Sequence, residues 1–150
     1  MFAAGIVLVF GPWVFLSSDL GFNYDIGITK YLGIVPIIIG GILMIWSMQK
    51  FAVFGRGTPA PIAPPSRLVT YGPHAVVRNP IYVGAILVLI GESIVFQSYV
   101  MIGYALSVWL FMHLFVVLYE EPTLKSKFGE EYEDYRLKVP RWIPRFKLWK

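Results

Sequence analysis

The segment IYVGAILVLIGESIVFQSYVMIGYALSVWLFMHLFVVL, Ile81–Leu118, decides the architecture. It is apolar almost throughout and is interrupted by the uncharged pair Gln97-Ser98, so it reads as a helical hairpin. Spanning hydrocarbon takes roughly 20 helical residues, with about 17 as a lower bound. Tyr99–Leu118 meets that length, and Ile81–Phe96 is borderline without flanking residues. Two more apolar runs lie upstream, Phe2–Leu16 and Leu32–Met48. The first starts at Met1 without a basic leader, so it is not read as a secretory signal, and Gly11-Pro12 predicts a kink in it. The pattern predicts an all-α integral membrane protein with about four transmembrane helices, treated as one domain over residues 1–150.

Composition supports this. Of 150 residues, 57% are hydrophobic and 15% charged, and the mean hydropathy is +0.64. A water-soluble domain of this size carries more charge than that. The absence of cysteine excludes a disulfide framework, a thiolate metal site and a cysteine nucleophile. Two histidines leave little for a histidine-built metal centre, and no nucleic-acid partner is expected from a net charge of +4.

Charge placement orients the chain. Lys50, Arg56, Arg67 and Arg78 lie between the second and third runs without an acid, and eight basic residues follow Leu118. The first loop holds only Asp19, Asp25 and Lys30. The positive-inside rule then places the Pro-rich loop, the tail and both termini in the cytoplasm. That loop, Gly55–Pro73, has three glycines and five prolines, and reads as a linker or a strap over a ligand. Gly33, Gly40, Gly41, Gly84, Gly91 and Gly103 with Ser107 are expected at close helix contacts.

Polar groups within apolar runs need partners. Glu92 is expected at the outer interface, hydrogen-bonded or solvated. His113 and Glu120 are seven residues apart, hence on one helical face and roughly 10 Å apart along the axis. Folding at Gln97-Ser98 puts His113 near the depth of Tyr82–Gly84. Pro122 suggests that a new helix starts beside Glu120-Glu121. Phe128, Tyr132, Tyr135 and Val139 form a stripe opposite charged residues, predicting a C-terminal amphipathic helix on the interface or folded back. Trp142, Phe146 and Trp149 read as interfacial anchors. The cytoplasmic ends thus gather Arg78, Asn79, Pro80, Tyr82, His113, Glu120, Glu121, Tyr132, Tyr135 and Arg141. Opposite charges, aromatic walls and access to lipid suit a zwitterionic cofactor with a planar group and an amphiphilic substrate.

Gly72-Pro73 followed by Val77-Arg78-Asn79-Pro80-Ile81-Tyr82-Val83-Gly84 resembles the Gly…Arg-His-Pro-x-Tyr-x-Gly signature of isoprenylcysteine carboxyl methyltransferases. Tyr104–Trp109 and Glu120-Glu121-x-x-Leu124-x-x-x-Phe128-Gly129-Glu130-Glu131-Tyr132-x-x-Tyr135-x-x-x-Val139-Pro140 follow that family's C-terminal pattern, so the likeness covers about Gly72–Pro144. Asn79–Gly84 and Leu118–Pro122 are also similar to phosphatidylethanolamine N-methyltransferases, which share the asparagine found here in place of histidine.

The resemblance implies an integral membrane methyltransferase using S-adenosylmethionine and a lipophilic or prenylated acceptor, with no metal. It implies cofactor contacts from Arg78, Asn79, Pro80, Tyr82, Gly84, Glu120, Glu121, Tyr132 and Tyr135. His113, Glu120 and Arg141 stand as candidate catalytic residues. The acceptor stays open between an isoprenylcysteine-type carboxylate and a phospholipid amine. The alternatives are a membrane sterol-type reductase using NADPH, to which related C-terminal patterns point, and a non-catalytic scaffold.

Overall fold

A computed structural model describes residues 6–17, 23–55 and 66–144. The Arg56-Gly57 pair of the loop, Asp19, and the tail anchors Phe146 and Trp149 lie outside the described residues. The architecture is all-α: α1 (Gly11–Ser17), α2 (Ile34–Gly55), α3 (Pro80–Val95), α4 (Tyr99–Phe115), α5 (Glu121–Phe128) and α6 (Glu130–Lys138). A 3-10 segment extends α2 backwards, making one rod of 29 residues over Gly27–Gly55; α4 and α5 form another of 30 residues over Tyr99–Phe128. Both are long and apolar enough to cross hydrocarbon. The other two apolar runs form shorter helices, Ile6–Ser17 and Pro80–Val95.

The long helices present Ile38, Ile42, Ile45, Leu110, Phe111 and Leu118 outward. So much exposed apolar surface would be costly in water and is ordinary against acyl chains.

The chain divides into two compact units, Met1–Ile42 with Gly84–Phe111, and Leu43–Val83 with Met112–Lys150. In the first, α2 and α3 cross on glycine. A Cβ placed on Gly33 would lie 2.6 Å from the Gly91 carbonyl oxygen, and one on Gly91 would lie 2.5 Å from that of Gly33. Seven residues along α2 and seven back along α3, a Cβ on Gly40 would lie 2.5 Å from the Gly84 oxygen. The helices therefore run antiparallel with touching backbones, the geometry that small residues permit. Gly41 and Gly103 differ from the expectation: a Cβ on either meets nothing within 4 Å among the described residues, so neither is a close contact there.

Gln97, at the turn between α3 and α4, has φ 54°. Its carbonyl accepts from Tyr24 N–H at 2.8 Å and its side-chain oxygen from Ile26 N–H at 2.8 Å, so the preceding loop fixes this left-handed residue. Tyr24 also donates its hydroxyl to the Ser93 carbonyl at 2.9 Å. Glu92 has one buried carboxylate oxygen with no partner among the described residues, unlike the hydrogen-bonded or solvated side chain expected.

Pro12 and Pro122 are met by the same device. A π turn, Ile6–Phe10, precedes Gly11-Pro12, and another, Val116–Glu120, precedes Glu121-Pro122. Proline lacks an N–H and clashes with the carbonyl four residues back, so widening the preceding turn lets the rod continue. At the first site the carbonyl five back from Pro12 is that of Val7. The Tyr104 hydroxyl donates to it at 2.9 Å, and the ring occupies the space that a Cβ on Gly11 would need. At the second, the Glu121 N–H reaches the Val116 carbonyl, five residues back. A new helix, Glu121–Phe128, does begin with Pro122 in its first turn, and it continues the same rod.

In the second unit, α5 and α6 meet at Gly129, whose φ of 55° allows the bend. Tyr132, Tyr135 and Val139 are buried at 2%, 3% and 1% exposure and pack with Leu68, Leu124 and Phe128. The stripe on the C-terminal helix thus faces protein.

Candidate active site

The site is assembled entirely within the second unit, from the start of α3, the end of the long α4–α5 rod, α6 and the residues after it. Gly72, with φ 63°, opens a short 3-10 turn over Gly72–Ala75, and Pro73 follows. A Cβ on Gly72 would also press on Lys50 at 3.1 Å. The chain then extends through Arg78 and Asn79 before Pro80, which is suited to the first helical position because its missing N–H has no intrahelical partner to lose. Pro80 is fully buried, and the Asn79 carbonyl accepts from Val83 N–H at 3.0 Å. Arg78 and Asn79 are thereby fixed at the mouth of α3.

Four consecutive residues after α6 lock onto this mouth. Val139 fills the core, and the Pro140 carbonyl accepts from Arg78 N–H at 2.9 Å. The Arg141 carbonyl accepts from Asn79 Nδ2 at 3.2 Å. The Arg141 guanidinium takes Glu121 in a fork, Nε to Oε1 at 2.7 Å and Nη2 to Oε2 at 2.8 Å. Trp142 donates Nε1–H to His113 Nδ1 at 3.1 Å.

Glu121 is also paired with Arg78, Nη1 to Oε1 at 2.9 Å. The side chains are 12% exposed for Glu121, 10% for Arg78 and 28% for Arg141, so this triad is largely desolvated. Arg78 Nη1 lies 3.4 Å from the Tyr132 hydroxyl. Its Nε is buried and has no partner among the described residues. A buried guanidinium N–H of this kind can donate to an anionic group. Tyr82 donates its hydroxyl to Glu120 Oε2 at 3.1 Å. The side chains of antiparallel helices lean toward their own N-termini, which lets Tyr82 and Glu120 reach toward one another.

Burial, reinforced by Glu121 and partly opposed by Arg78, pushes the Tyr132 phenol up to about 12. Burial likewise raises Tyr135, whose hydroxyl donates to the His74 carbonyl at 2.6 Å. Both stay neutral at physiological pH. The carboxylate of Glu121 holds the Arg141 guanidinium more firmly in its charged form.

Of the residues singled out from sequence, Arg78, Asn79, Pro80, Glu121, Tyr132 and Arg141 form one connected cluster, with Tyr82–Glu120 and His113–Trp142 as further pairs in the same unit. Gly84 falls in the other unit, where its carbonyl meets Gly40. Glu121, expected as a free acceptor, already has both oxygens engaged by arginines. His113 and Glu120, expected on one face, bond to different partners. The π turn between them inserts a residue and offsets the face by about 100°. Tyr135 packs in the core with Tyr132 and Val139, within electrostatic reach of Arg78.

Two residues escaped the sequence reading. Trp142 was read only as an anchor, although its place beside Arg141 was a signal. His74 is buried with Nδ1 unpartnered among the described residues, and burial lowers it to about 4; it follows Gly72-Pro73 directly, four positions before Arg78. Among the described residues there is no cluster of three or more His, Asp or Glu side chains that could hold a metal ion.

Residues 28–131 match the phospholipid methyltransferase family. The chain is 40% identical over 78 residues to the protein-S-isoprenylcysteine O-methyltransferase of Schizosaccharomyces pombe, covering 51% of this chain and 33% of that protein. It is 30% identical over 122 residues to a probable protein-S-isoprenylcysteine O-methyltransferase of Oryza sativa subsp. indica, covering 77% and 61%. With the Mus musculus protein-S-isoprenylcysteine O-methyltransferase the identity is 40% over 81 residues, covering 53% and 28%. The chain therefore spans less than two thirds of the length of each of these relatives. The matched residues run from the start of the first long helix through Tyr132's neighbour Glu131, taking in Arg78, Asn79, His113, Glu120 and Glu121, and on that evidence the chain belongs to the phospholipid methyltransferase family of membrane proteins.

Proposed function

We propose that the chain methylates the carboxylate of a lipophilic, isoprenylcysteine-type acceptor with S-adenosylmethionine as donor. The observation that carries this reading is the buried Nε of Arg78, unpartnered among the described residues, inside a cluster of two arginines, one glutamate and a phenol. The names of the relatives support the acceptor class.

The residues fit the cofactor. Arg78 and Asn79 offer donors for its carboxylate, Glu120 offers an acceptor for ammonium or ribose hydroxyls, and Tyr132 and Tyr82 supply ring faces. When bound, the cofactor supplies a methyl group already activated on a sulfonium, without need of a metal. Glu121 acts by holding Arg78 and Arg141 in place. Arg141 sets the tail residues over the mouth of α3 and helps exclude water, so that alignment and fixed charge do most of the work.

The reading includes four crossings with the site and both termini on the cytoplasmic side, which the Lys and Arg concentrated in the loop and tail support. The two shorter helices then span with the help of flanking residues or local thinning of the bilayer.

The second reading is N-methylation of a phospholipid amine, favoured by the family match itself and by Asn79. Incubation of purified protein with methyl-labelled cofactor, a prenylated N-acetylcysteine and phosphatidylethanolamine vesicles separates the two. A base-labile product is the ester; a base-stable one is the amine. Calorimetry is expected to register S-adenosylmethionine and not NADPH, and Glu120→Gln and Arg78→Ala each to abolish that heat in a folded protein. Wild-type affinity in either variant removes that residue from the site, while a response to NADPH alone points to the reductase.

A further inference from the structure

Lys50 stands near the end of α2, and both parts of its side chain are held. Its stem lies in the space that a side chain on Gly72 would fill: a Cβ there would come within 3.1 Å of Cγ and 3.6 Å of Cδ and Cε. Its ammonium sits over the Phe54 ring, 5.5 Å from the centroid. That ring packs in turn on Tyr71, with centroids 5.2 Å apart. Beyond them, Ser66 donates its N–H and its hydroxyl to the Gly55 carbonyl at 3.0 and 2.9 Å, tying the segment 66–72 along the last turns of the rod. Arg67, next to Ser66, is exposed. All of these residues belong to the second unit.

No carboxylate answers this cation. The sequence carries no Asp or Glu from Ile26 to Gly91, and among the described residues neither Lys50 nor Arg67 has an ion pair. Lys125, Arg136 and Lys138, in the same unit, are each paired with an acid. A ring face attracts an ammonium but cancels no charge, so the corner stays positive.

Its depth and surroundings suit a lipid. Lys30 and Lys50 bracket the uncharged stretch Tyr31–Gln49, which matches the roughly 20 residues that cross hydrocarbon. Lys50 therefore lies at headgroup level. Trp46, four residues earlier and so one turn deeper on the same side of the helix, is 48% exposed. Phe54 and Tyr71 are exposed as well. A cation with an open apolar wall running from it into hydrocarbon fits a phosphate that carries acyl chains. A free phosphate ion would make no use of that wall.

We propose that Lys50, with Phe54, Tyr71 and Arg67, forms a binding site for the headgroup of an anionic glycerophospholipid of the bilayer, whose acyl chains lie against Trp46. Lys50 takes the phosphate, and Arg67 adds a second cation at the rim. The two rings lie at the level of the glycerol esters, where aromatic side chains are favoured. The site is separate from the Arg78 cluster and does not depend on methyl transfer.

Native mass spectrometry of the purified full chain in a non-ionic detergent counts bound lipids as dioleoylphosphatidylglycerol or dioleoylphosphatidylcholine is added, without cofactor. Phosphatidylglycerol has no amine, so it is not an acceptor under the second reading above. The wild type is expected to retain one phosphatidylglycerol at a concentration about tenfold below that needed for phosphatidylcholine. Lys50→Gln is expected to weaken phosphatidylglycerol about fivefold, as for one basic residue at a charged surface, and Phe54→Leu about twofold. Lys125→Gln removes the same charge from the same unit, but from a cation already paired with Glu133 at 2.8 Å. It is expected to stay within about twofold of the wild type, as for a surface ion pair.

Equal losses in Lys50→Gln and Lys125→Gln overturn the proposal, because the attraction is then diffuse. Equal retention of the two lipids by the wild type overturns it even if Lys50→Gln does not fold. Millimolar inorganic phosphate is expected to leave the bound lipid in place; displacement by it would reveal an ion site and overturn the lipid assignment. A selectively bound lipid in a protein that methylates nothing removes the function proposed above and keeps this site.

Discussion

Arg141 holds Glu121 through two parallel hydrogen bonds, Nε to Oε1 at 2.7 Å and Nη2 to Oε2 at 2.8 Å, while Arg78 reaches the same Oε1 at 2.9 Å. One carboxylate thus compensates two guanidiniums. Its removal leaves both cations with no compensating charge in a place that is mostly out of water. Glu121→Ala is expected to cost about 3 kcal/mol of stability, whereas Arg78→Ala costs less because the Arg141 fork survives. Thermal unfolding in detergent, with both variants side by side, tests the order; an equal or smaller loss for Glu121→Ala contradicts the triad.

His74 gives the fold a dependence on pH. Burial lowers its folded-state value from 6.5 to about 4, so the unfolded chain binds the proton more readily. Stability is therefore complete above 6.5 and is lost as pH falls from 6.5 toward 4, by about 3 kcal/mol. His74→Phe is expected to flatten that interval in a denaturation series. An unchanged slope would show that another group titrates there.

Gly91 and Gly41 make a matched pair. A methyl on Gly91 would lie 2.5 Å from the Gly33 carbonyl oxygen, which is backbone and yields little, whereas a methyl on Gly41 meets nothing within 4 Å among the described residues. Gly91→Ala is expected to destabilise by roughly 3 kcal/mol, and Gly41→Ala to be neutral or slightly stabilising because alanine favours helix. Equal unfolding midpoints for the two variants would refute the close crossing.

Because the sequence contains no cysteine, single introduced thiols can report topology without background. Ser126 and Thr29 are both exposed. With four crossings, a membrane-impermeant maleimide applied to intact cells labels Thr29→Cys and spares Ser126→Cys until the membrane is opened. Labelling of both, or of Ser126→Cys alone, contradicts the proposed orientation.

Much of this was legible in the residues themselves. The apolar runs marked the helices, and the Arg78-Asn79-Pro80-x-Tyr82 and Glu120-Glu121 motifs marked the cluster. What periodicity could not supply were departures from its own period and contacts between distant segments. The π turn before Pro122 breaks the 3.6-residue rule on which the shared face of His113 and Glu120 was based. The stripe through Tyr132 and Tyr135 indicated a face without indicating what it covers. Trp142 on His113 and Arg141 on Glu121 join residues 29 and 20 positions apart, and no local pattern encodes such pairs.

The widened turn at Val116–Glu120 has a consequence for the bearing of Glu120 and Glu121. The aim of the two carboxylates is governed by Pro122, a residue with no functional group to offer, because it forbids the ordinary ladder just ahead of itself. Exchanging that imino acid for alanine would let the coil tighten and swing both glutamates around the axis together. The direction of these two side chains is thus set through the backbone, by a residue that touches neither of them.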